Sequence, residues 1–477
     1  MKSRQFVTLT SLPCFVILAA MIFGAGPASA QTSDATNQLA HDIFKQLIEI
    51  NTTDSAGSTT VAAEAMAQRL RDAGFPASDI YVDGPNARKG NIVARLHGTG
   101  ARKPILFICH LDVVEARRED WTMDPFQFIE KDGYFYGRGT GDIKDGDAIL
   151  VTTFIRLKQE GYKPDRDLIL ALTADEEGGA SNGVDWLLKN HRDLIDAEFI
   201  VNPDAGDFEL DHGRHMLVGI QASEKLYQDY DLKITSAGGH SSLPTADNPI
   251  YALAAALTRL EQYQFPFELN EVTHAYFARE ADLVGGQTGA DMRSILQTPP
   301  DPAALARLSA MPYYNARFRT TCVATRIDGG HANNALPGYA HANVNCRILP
   351  GHSPDEVQAT IEQILNNSKI AIKQVAATGT GLRSNPASPL RPDVLGPLEK
   401  VSHEMWPGIP IVPVMDAGAS DGATSRAAGI PTYGVPPVFM DVDDDRSHGR
   451  DERIRVSAFY EGVDFYYRFV KALSSAH

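Results

Sequence analysis

Apolar residues recur at helical spacing over 42–49 and 60–73, where Ile43, Leu47, Val61, Ala65 and Leu70 fall near one face, and Gly74 closes the second segment. The period then changes. Residues 91–96 and 104–109 read as strands, and Ile105-Leu106-Phe107-Ile108-Cys109 is an unbroken apolar run of the kind found in a sheet covered on both faces. A helix over 147–157, with Leu150, Phe154 and Leu157 in register, precedes another apolar strand over 167–173. A helix over 182–189 and a strand over 198–201 continue the alternation. Strands alternating with helices predict an α/β domain with a mainly parallel sheet, in which ligand groups collect just beyond the carboxyl ends of the strands.

Around Ser223 the pattern becomes that of a half-buried strand, with Tyr230, Leu232 and Ile234 alternating with Asp229, Asp231 and Lys233. A helix over 249–260 leads into a long, less regular region, 264–314, which includes Pro299-Pro300; strands over 320–327 and 342–348 and a helix over 354–365 follow. This reads as an α+β domain inserted into the first. From about Pro389 the α/β character returns, with a strand over 411–415, a helix over 423–428 and a final helix over 457–472. The expected division is 31–222 with 380–477 for the main domain and 223–379 for the insert.

With 477 residues, 43% hydrophobic and 22% charged, the chain is long for one core, and two domains fit that length. A formal charge of −16 argues against nucleic acid or an anionic membrane as the main partner, because a polyphosphate is held by clustered Lys and Arg. Residues 1–30 read as a secretory signal: Lys2 and Arg4 form a basic start, 15–23 is mostly apolar, and Pro27-Ala28-Ser29-Ala30 ends in a small-residue cleavage pattern. A mature protein starting near Gln31, secreted or periplasmic, is expected; the alternative is an uncleaved anchor, although the apolar run is short for a span of about 20 residues. Removal of Cys14 leaves Cys109, Cys322 and Cys346, too few for a disulfide scaffold. A cross-strand bridge between Cys322 and Cys346 is conceivable, but free buried thiols are the expectation.

Potential ligands stand at the strand ends. His110-Leu111-Asp112 follows the first apolar strand, and its i, i+2 spacing puts both side chains on one side, so that Asp112 would hold the second ring nitrogen of His110. Asp175-Glu176-Glu177-Gly178-Gly179 follows the second. Adjacent carboxylates beside an apolar strand carry a burial penalty of several kcal/mol unless a metal or a proton offsets it. Asn202-Pro203-Asp204 follows the next strand, and His448 lies far downstream. Asp142 ends the glycine-rich run Gly137-Arg138-Gly139-Thr140-Gly141, where a dinucleotide loop would require a third glycine; a carboxylate there repels a pyrophosphate. Two histidines and several carboxylates suit zinc or a similar divalent ion with a position left for water, and two ions sharing Asp142 would lie about 3.5–4 Å apart.

His110-Leu111-Asp112, Gly137-Arg138-Gly139-Thr140-Gly141-Asp142, Asp175-Glu176-Glu177-Gly178, Gly238-Gly239-His240-Ser241-Ser242 and His448-Gly449-Arg450-Asp451-Glu452-Arg453 resemble, in order, the motifs of the dizinc metallopeptidases that include aminoacylase, carboxypeptidase G, dipeptidases and succinyl-diaminopimelate desuccinylase. The resemblance implies two zinc ions, with cobalt or manganese as substitutes. Asp142 would bridge them, His110 and Asp204 would complete one site, and Glu177 and His448 the other. It implies Glu176 as general base, Asp112 as the residue orienting His110, and the insert as a lid or dimerisation domain whose His240 stabilises the oxyanion, in its own subunit or across a homodimer. Arg347 and Asn334 would meet a substrate carboxylate, with Gly418 and Ser420 near the substrate. The expected activity is hydrolysis of amide bonds in small peptides or, alternatively, in N-acyl amino acids. Asp207 rivals Asp204 as fifth ligand, and Asp145, at a position where many members have glycine, is expected to cap the following helix.

Two other functions compete. Gly418-Ala419-Ser420-Asp421-Gly422 matches G-x-S-x-G between a strand and a helix, with His448 downstream, which would make Ser420 a hydrolase nucleophile; the acidic strand ends then have no role. A periplasmic peptide or metal binder on an inactivated scaffold would not need Glu176.

Overall fold

The computed structural model of the protein describes residues 34–178, 180–375 and 385–475. The expected signal segment, the expected domain limit at 380 and Gly179 lie outside them. A ten-stranded sheet forms the main body. In spatial order it runs Ile80–Asp83, Asn91–Leu96, Leu168–Thr173, Ile105–His110, Phe199–Asn202, Thr432–Gly434, Arg214–Glu224, Asp207–Asp211 and Met440–Asp441, with Ile411–Asp416 parallel to Arg214–Glu224. The centre is parallel, as the apolar runs predict: Ile105–His110 pairs in parallel with both Leu168–Thr173 and Phe199–Asn202.

These strands are buried along their whole length because helices cover both faces. On one face Phe44, Leu47, Phe154, Phe459 and Phe469, from helices Asp34–Glu49, Lys144–Gln159 and Val456–Ser474, pack with Phe107 and Leu170. Each fully buried side chain of this size contributes about 1.5–3 kcal/mol. On the other face Val184, Leu187 and Ile195 pack on Leu106, Ile108 and Ile169.

The expected inserted strands, joined by an unexpected fourth, Ala371–Val375, form an antiparallel sheet in the order Thr321–Gly329, Tyr339–Ile348, Leu226–Thr235, Ala371–Val375. Helices Pro249–Gln262 and Pro354–Leu365 back it. Asn248 caps the first of these, and Ser353 with Glu356 forms a capping box on the second. Cys322 and Cys346 are direct partners on neighbouring strands and are disulfide-bonded, which corrects the expectation of free thiols; Cys109 is free and buried.

The region expected to be irregular is helical, in four short pieces: Glu271–Val284, Gly286–Ile295, Pro302–Ser309 and Pro312–Phe318. Gly285, Gly286, Pro302 and Pro312 cut it into pieces, the last two only 8 and 7 residues long. Tyr276, Phe277, Met292 and Phe318 from these helices pack on Leu217, Val412 and Val414 of the ten-stranded sheet. The hairpin Asp207–Asp211 with Arg214–Glu224 is a further element the pattern hides, because Gln221, Ser223 and Glu224 are polar yet buried. Among the described residues no helix is long and apolar enough to cross a membrane.

Candidate metal centre and active site

Three neighbouring strands deliver the central candidate site residues. His110 ends Ile105–His110, Glu176 and Glu177 follow Leu168–Thr173, and Asp204 follows Phe199–Asn202. Asp142 enters from the glycine loop and His448 from the segment before strand Arg453–Arg455. The two oxygens of Asp142 face opposite ways. Oδ1 lies 3.2 Å from His110 Nε2, which is 3.7 Å from Asp204 Oδ1. Oδ2 lies 2.9 Å from His448 Nε2, which is 3.0 Å from Glu177 Oε1. One carboxylate therefore presents one oxygen to each of two donor sets.

The electrostatics call for cations. Five carboxylates, those of Asp112, Asp142, Glu176, Glu177 and Asp204, crowd two imidazoles in a largely buried space. Burial and then the neighbouring Asp204 push Glu176 well above the ordinary carboxylate value, and burial pushes Asp204 up to about 6. Burial also acts to raise Asp142, but hydrogen bonds from His110 and His448 outweigh it and hold that carboxyl low. Hydrogen bonds to Asp142 and Glu177 push His448 up to about 10. His110, Asp142 and Glu177, and likewise His110, Glu176 and Asp204, offer donor atoms within 4.8 Å of one another, and with His448 beside Asp142 and Glu177 this acid-rich set with two imidazoles fits divalent ions.

The supports differ from expectation in one respect. His110 Nδ1 bonds the backbone carbonyl of Asp112 at 2.9 Å, whereas the Asp112 carboxylate is 3.8 Å away. That carboxylate instead accepts the backbone N–H groups of Glu176 and Glu177, each at 3.1 Å. Asp112 thus orients His110 through its main chain and the backbone of Glu176 and Glu177 through its side chain. Asp175, at φ +65°, is held by Lys89 and by the Ser181 N–H. In the glycine loop a β-carbon at Gly139, where φ is +88°, would sit 2.8 Å from Val113 Cγ1. The Asp142–Ile143 peptide is cis. Asp145 does not cap: Ile143 occupies the cap position of helix Lys144–Gln159, and Asp145 lies buried inside its first turn with both oxygens unbonded.

A cleft of about 740 Å³ opens over this cluster, lined by Asp142, Glu176, Asp204 and His448 on one side and by Tyr227 and Arg347 on the other. Gly418 and Ser420 line it as expected. Arg347, on the inserted strand Tyr339–Ile348, stacks over Tyr227 at 4.7 Å and donates to the Ala417 carbonyl at 3.1 Å. His240 and Asn334 are not brought to the cleft. His240 is exposed on a two-stranded ribbon with Ala335–Leu336, its Nδ1 2.7 Å from Ser242 Oγ, and the Asn334 carbonyl accepts the Ser241 N–H. Ser420 caps helix Asp421–Ala427 and donates to Glu224 at 2.9 Å, while His448 faces Asp142 and Glu177, so no serine–histidine pair forms here. Asp207 stays outside the His110 set; burial and then Asp416 push it up to about 7. Glu224, Lys225, Tyr227 and Asp416 also line the cleft and carry no motif that would single them out.

A parallel sheet whose strand ends gather histidines and carboxylates around one shared aspartate defines a metal-dependent hydrolase of the two-ion class. Residues 106–472 match the model of Peptidase family M20/M25/M40, and the chain belongs to that family of dinuclear metal-binding enzymes. It is 30% identical over 383 residues to the human N-fatty-acyl-amino acid synthase/hydrolase PM20D1, covering 77% of this chain and 74% of that protein. It is 28% identical over 390 residues to a probable carboxypeptidase S-like 2 of Dictyostelium discoideum, covering 77% and 71%. An M20 family metallo-carboxypeptidase from Sulfolobus solfataricus shares the fold, with a TM-score of 0.66 at 16% identity over 91% of this chain and 99% of that one.

Proposed function

We propose that this chain is a zinc-dependent hydrolase of the amide bond next to a free carboxylate in small peptides, of carboxypeptidase or dipeptidase type. The observation that carries the reading is Arg347, which lines the same cleft as Glu176 and the metal-ligand cluster. Its guanidinium offers a carboxylate two parallel hydrogen bonds, which fixes the distance from that carboxylate to the bond being cut. N-acyl amino acids are the second reading, favoured by the 30% identity to a relative named for N-fatty-acyl amino acids. Both substrates present the same amide beside a carboxylate.

His110 with Asp204 and Glu177 with His448, sharing Asp142, would hold two zinc ions, which when bound supply the Lewis acidity that makes a water acidic and polarises a carbonyl. Glu176 then takes the proton from the attacking water and hands it to the leaving nitrogen; its raised proton affinity suits a group that must both accept and return a proton near neutrality. Asp112 holds Glu176 in place through the backbone N–H. His240 and Asn334 would complete the site once the tip of the insert is brought to the cleft, by closure of the four-stranded sheet and its two helices over the rest or from a second copy. Because helices 271–318 pack on the main sheet, the four-stranded sheet with its two helices is the part free to move. The Cys322–Cys346 bridge supports an oxidising location, secreted or periplasmic, as does the leader-like N-terminus.

Zinc-loaded protein is expected to release free amino acids from a panel of dipeptides and N-acyl amino acids, and a chelator is expected to stop it. Hydrolysis that survives the chelator and disappears in Ser420→Ala would overturn the metal reading. Unchanged KM in Arg347→Ala would remove the carboxylate anchor, and unchanged kinetics in His240→Ala would remove closure.

A further inference from the structure

Arg138 and Glu452 do not line the cleft, yet both are nearly sealed from solvent, at 3% and 1% exposure. The carboxylate of Glu452 is saturated by the loop that carries Asp142. Its Oε1 accepts the N–H groups of Gly141 at 2.8 Å and Asp142 at 3.2 Å, and its Oε2 accepts Gly139 N–H at 3.2 Å and Arg138 Nη1 at 2.5 Å. Arg138 reaches the other way. Its Nη2 donates to the carbonyls of Gly449 at 2.9 Å and His448 at 3.4 Å, and its guanidinium lies 5.0 Å above the Trp121 ring. The segment that carries His448 therefore holds the loop of Asp142, and the loop of Asp142 holds the segment that carries His448.

His448 needs such a hold. It sits at φ +62° in the left-handed region, which a residue with a β-carbon adopts only when its surroundings enforce it, and its side chain is 54% exposed. Strand pairing between Tyr136 and Arg453 brings the two segments alongside each other, but stops short of both ligands. Nothing comparable is required at His110, which ends a buried strand of the main sheet.

We infer that Arg138 and Glu452 are positioning residues that fix His448 against Asp142 and thereby set the affinity of that flank for its ion. The inference rests on the two-ion reading above. Removing one partner also leaves the other charge buried and unpaired, so loss of stability alone would say nothing about positioning. The metal-free protein is therefore titrated with Co²⁺ and its visible absorption followed through both binding steps, with His448→Ala identifying the step that belongs to its flank. In Glu452→Gln and in Arg138→Met that same step is expected to weaken about 10–100-fold, well beyond any change in the other step, which shares only Asp142 with it. The double variant, which leaves no unpaired charge, is expected to show the same weakened step despite its recovered stability. Parallel weakening of both steps, or a wild-type second step in either single variant or in the double variant, would overturn the inference. Wild-type protein that takes up one equivalent of Co²⁺ would instead overturn the two-ion reading beneath it.

Discussion

The two flanks of Asp142 reach similar donor geometry by different means. On one side His110 is 2% exposed, ends a strand buried along its whole length, and is steered by the backbone carbonyl of Asp112. On the other, His448 is half exposed, sits on an irregular segment in a left-handed conformation, and depends on side chains for its placement. The first flank is a by-product of a well-packed sheet, whereas the second has to be assembled from separate pieces of chain. Rigidity that comes free at a strand end must be supplied by buried polar contacts at a loop.

The largest effect is expected at the group between the flanks. Glu176→Gln should lower kcat by about 10²–10⁴-fold while Co²⁺ still binds in two equivalents, because the proton carrier is removed and the ligands are not. Near-normal kcat would assign the proton to another residue. The next largest separates the flanks by pH. His448 carries a proton up to about pH 10 in the metal-free protein, and a ligand must be neutral to bind. Affinity on its flank should therefore fall about tenfold for each pH unit lowered from 9 to 7, one proton being displaced per ion. His448→Ala should abolish this part of the dependence, and identical slopes in the two proteins would break the assignment.

A smaller effect tests where Asp112 acts. Asp112→Asn retains one acceptor for two N–H donors, so kcat should drop about tenfold while the His110 flank keeps its Co²⁺ affinity. Weaker binding on that flank would return the Asp112 carboxylate to His110. The smallest effect is expected where neither flank is touched. Burial holds the Asp145 carboxyl well above its unfolded value, so its contribution to stability is complete below that unfolded value and is lost as pH rises toward the folded one. Asp145→Asn cannot ionise, and its urea midpoint in metal-free protein should fall less between pH 5 and pH 8 than that of the wild type. Parallel declines would mean that Asp145 is not the group being titrated.

The contrast between the flanks also explains what the sequence discloses. Continuous apolar runs such as Leu168–Thr173 announce buried parallel strands, and a ligand placed directly after one inherits a predictable position; His110, Glu176, Glu177 and Asp204 are legible for that reason. Contacts between distant segments leave no local trace. Arg138 and Glu452 are 314 residues apart, and although each lies inside a motif that carries a candidate ligand, nothing in either motif pairs the two. The helices between 271 and 318 escape notice because glycines and prolines interrupt them, and the strand Arg214–Glu224 because its end turns polar side chains inward toward the cleft. Asp145 was misplaced for a related reason, since helix-start chemistry predicts a cap for an exposed acid and cannot foresee one buried in the first turn.

The sheet itself is discontinuous in the chain: Ile411–Asp416 pairs with Arg214–Glu224, and Thr432–Gly434 with Phe199–Asn202, across all of the intervening insert. During synthesis, His110, Asp142, Glu176, Glu177 and Asp204 emerge long before His448 does. The residues of the His110 flank are therefore made early, but the loop that carries Asp142 and the whole His448 flank wait for later segments to dock onto a sheet that is still missing strands. Pairings of this range are slow to form, because loop closure must precede any gain from contact. Completion of the His448 flank thus requires a chain made at least through Arg453–Arg455 and docked onto strands that were made much earlier.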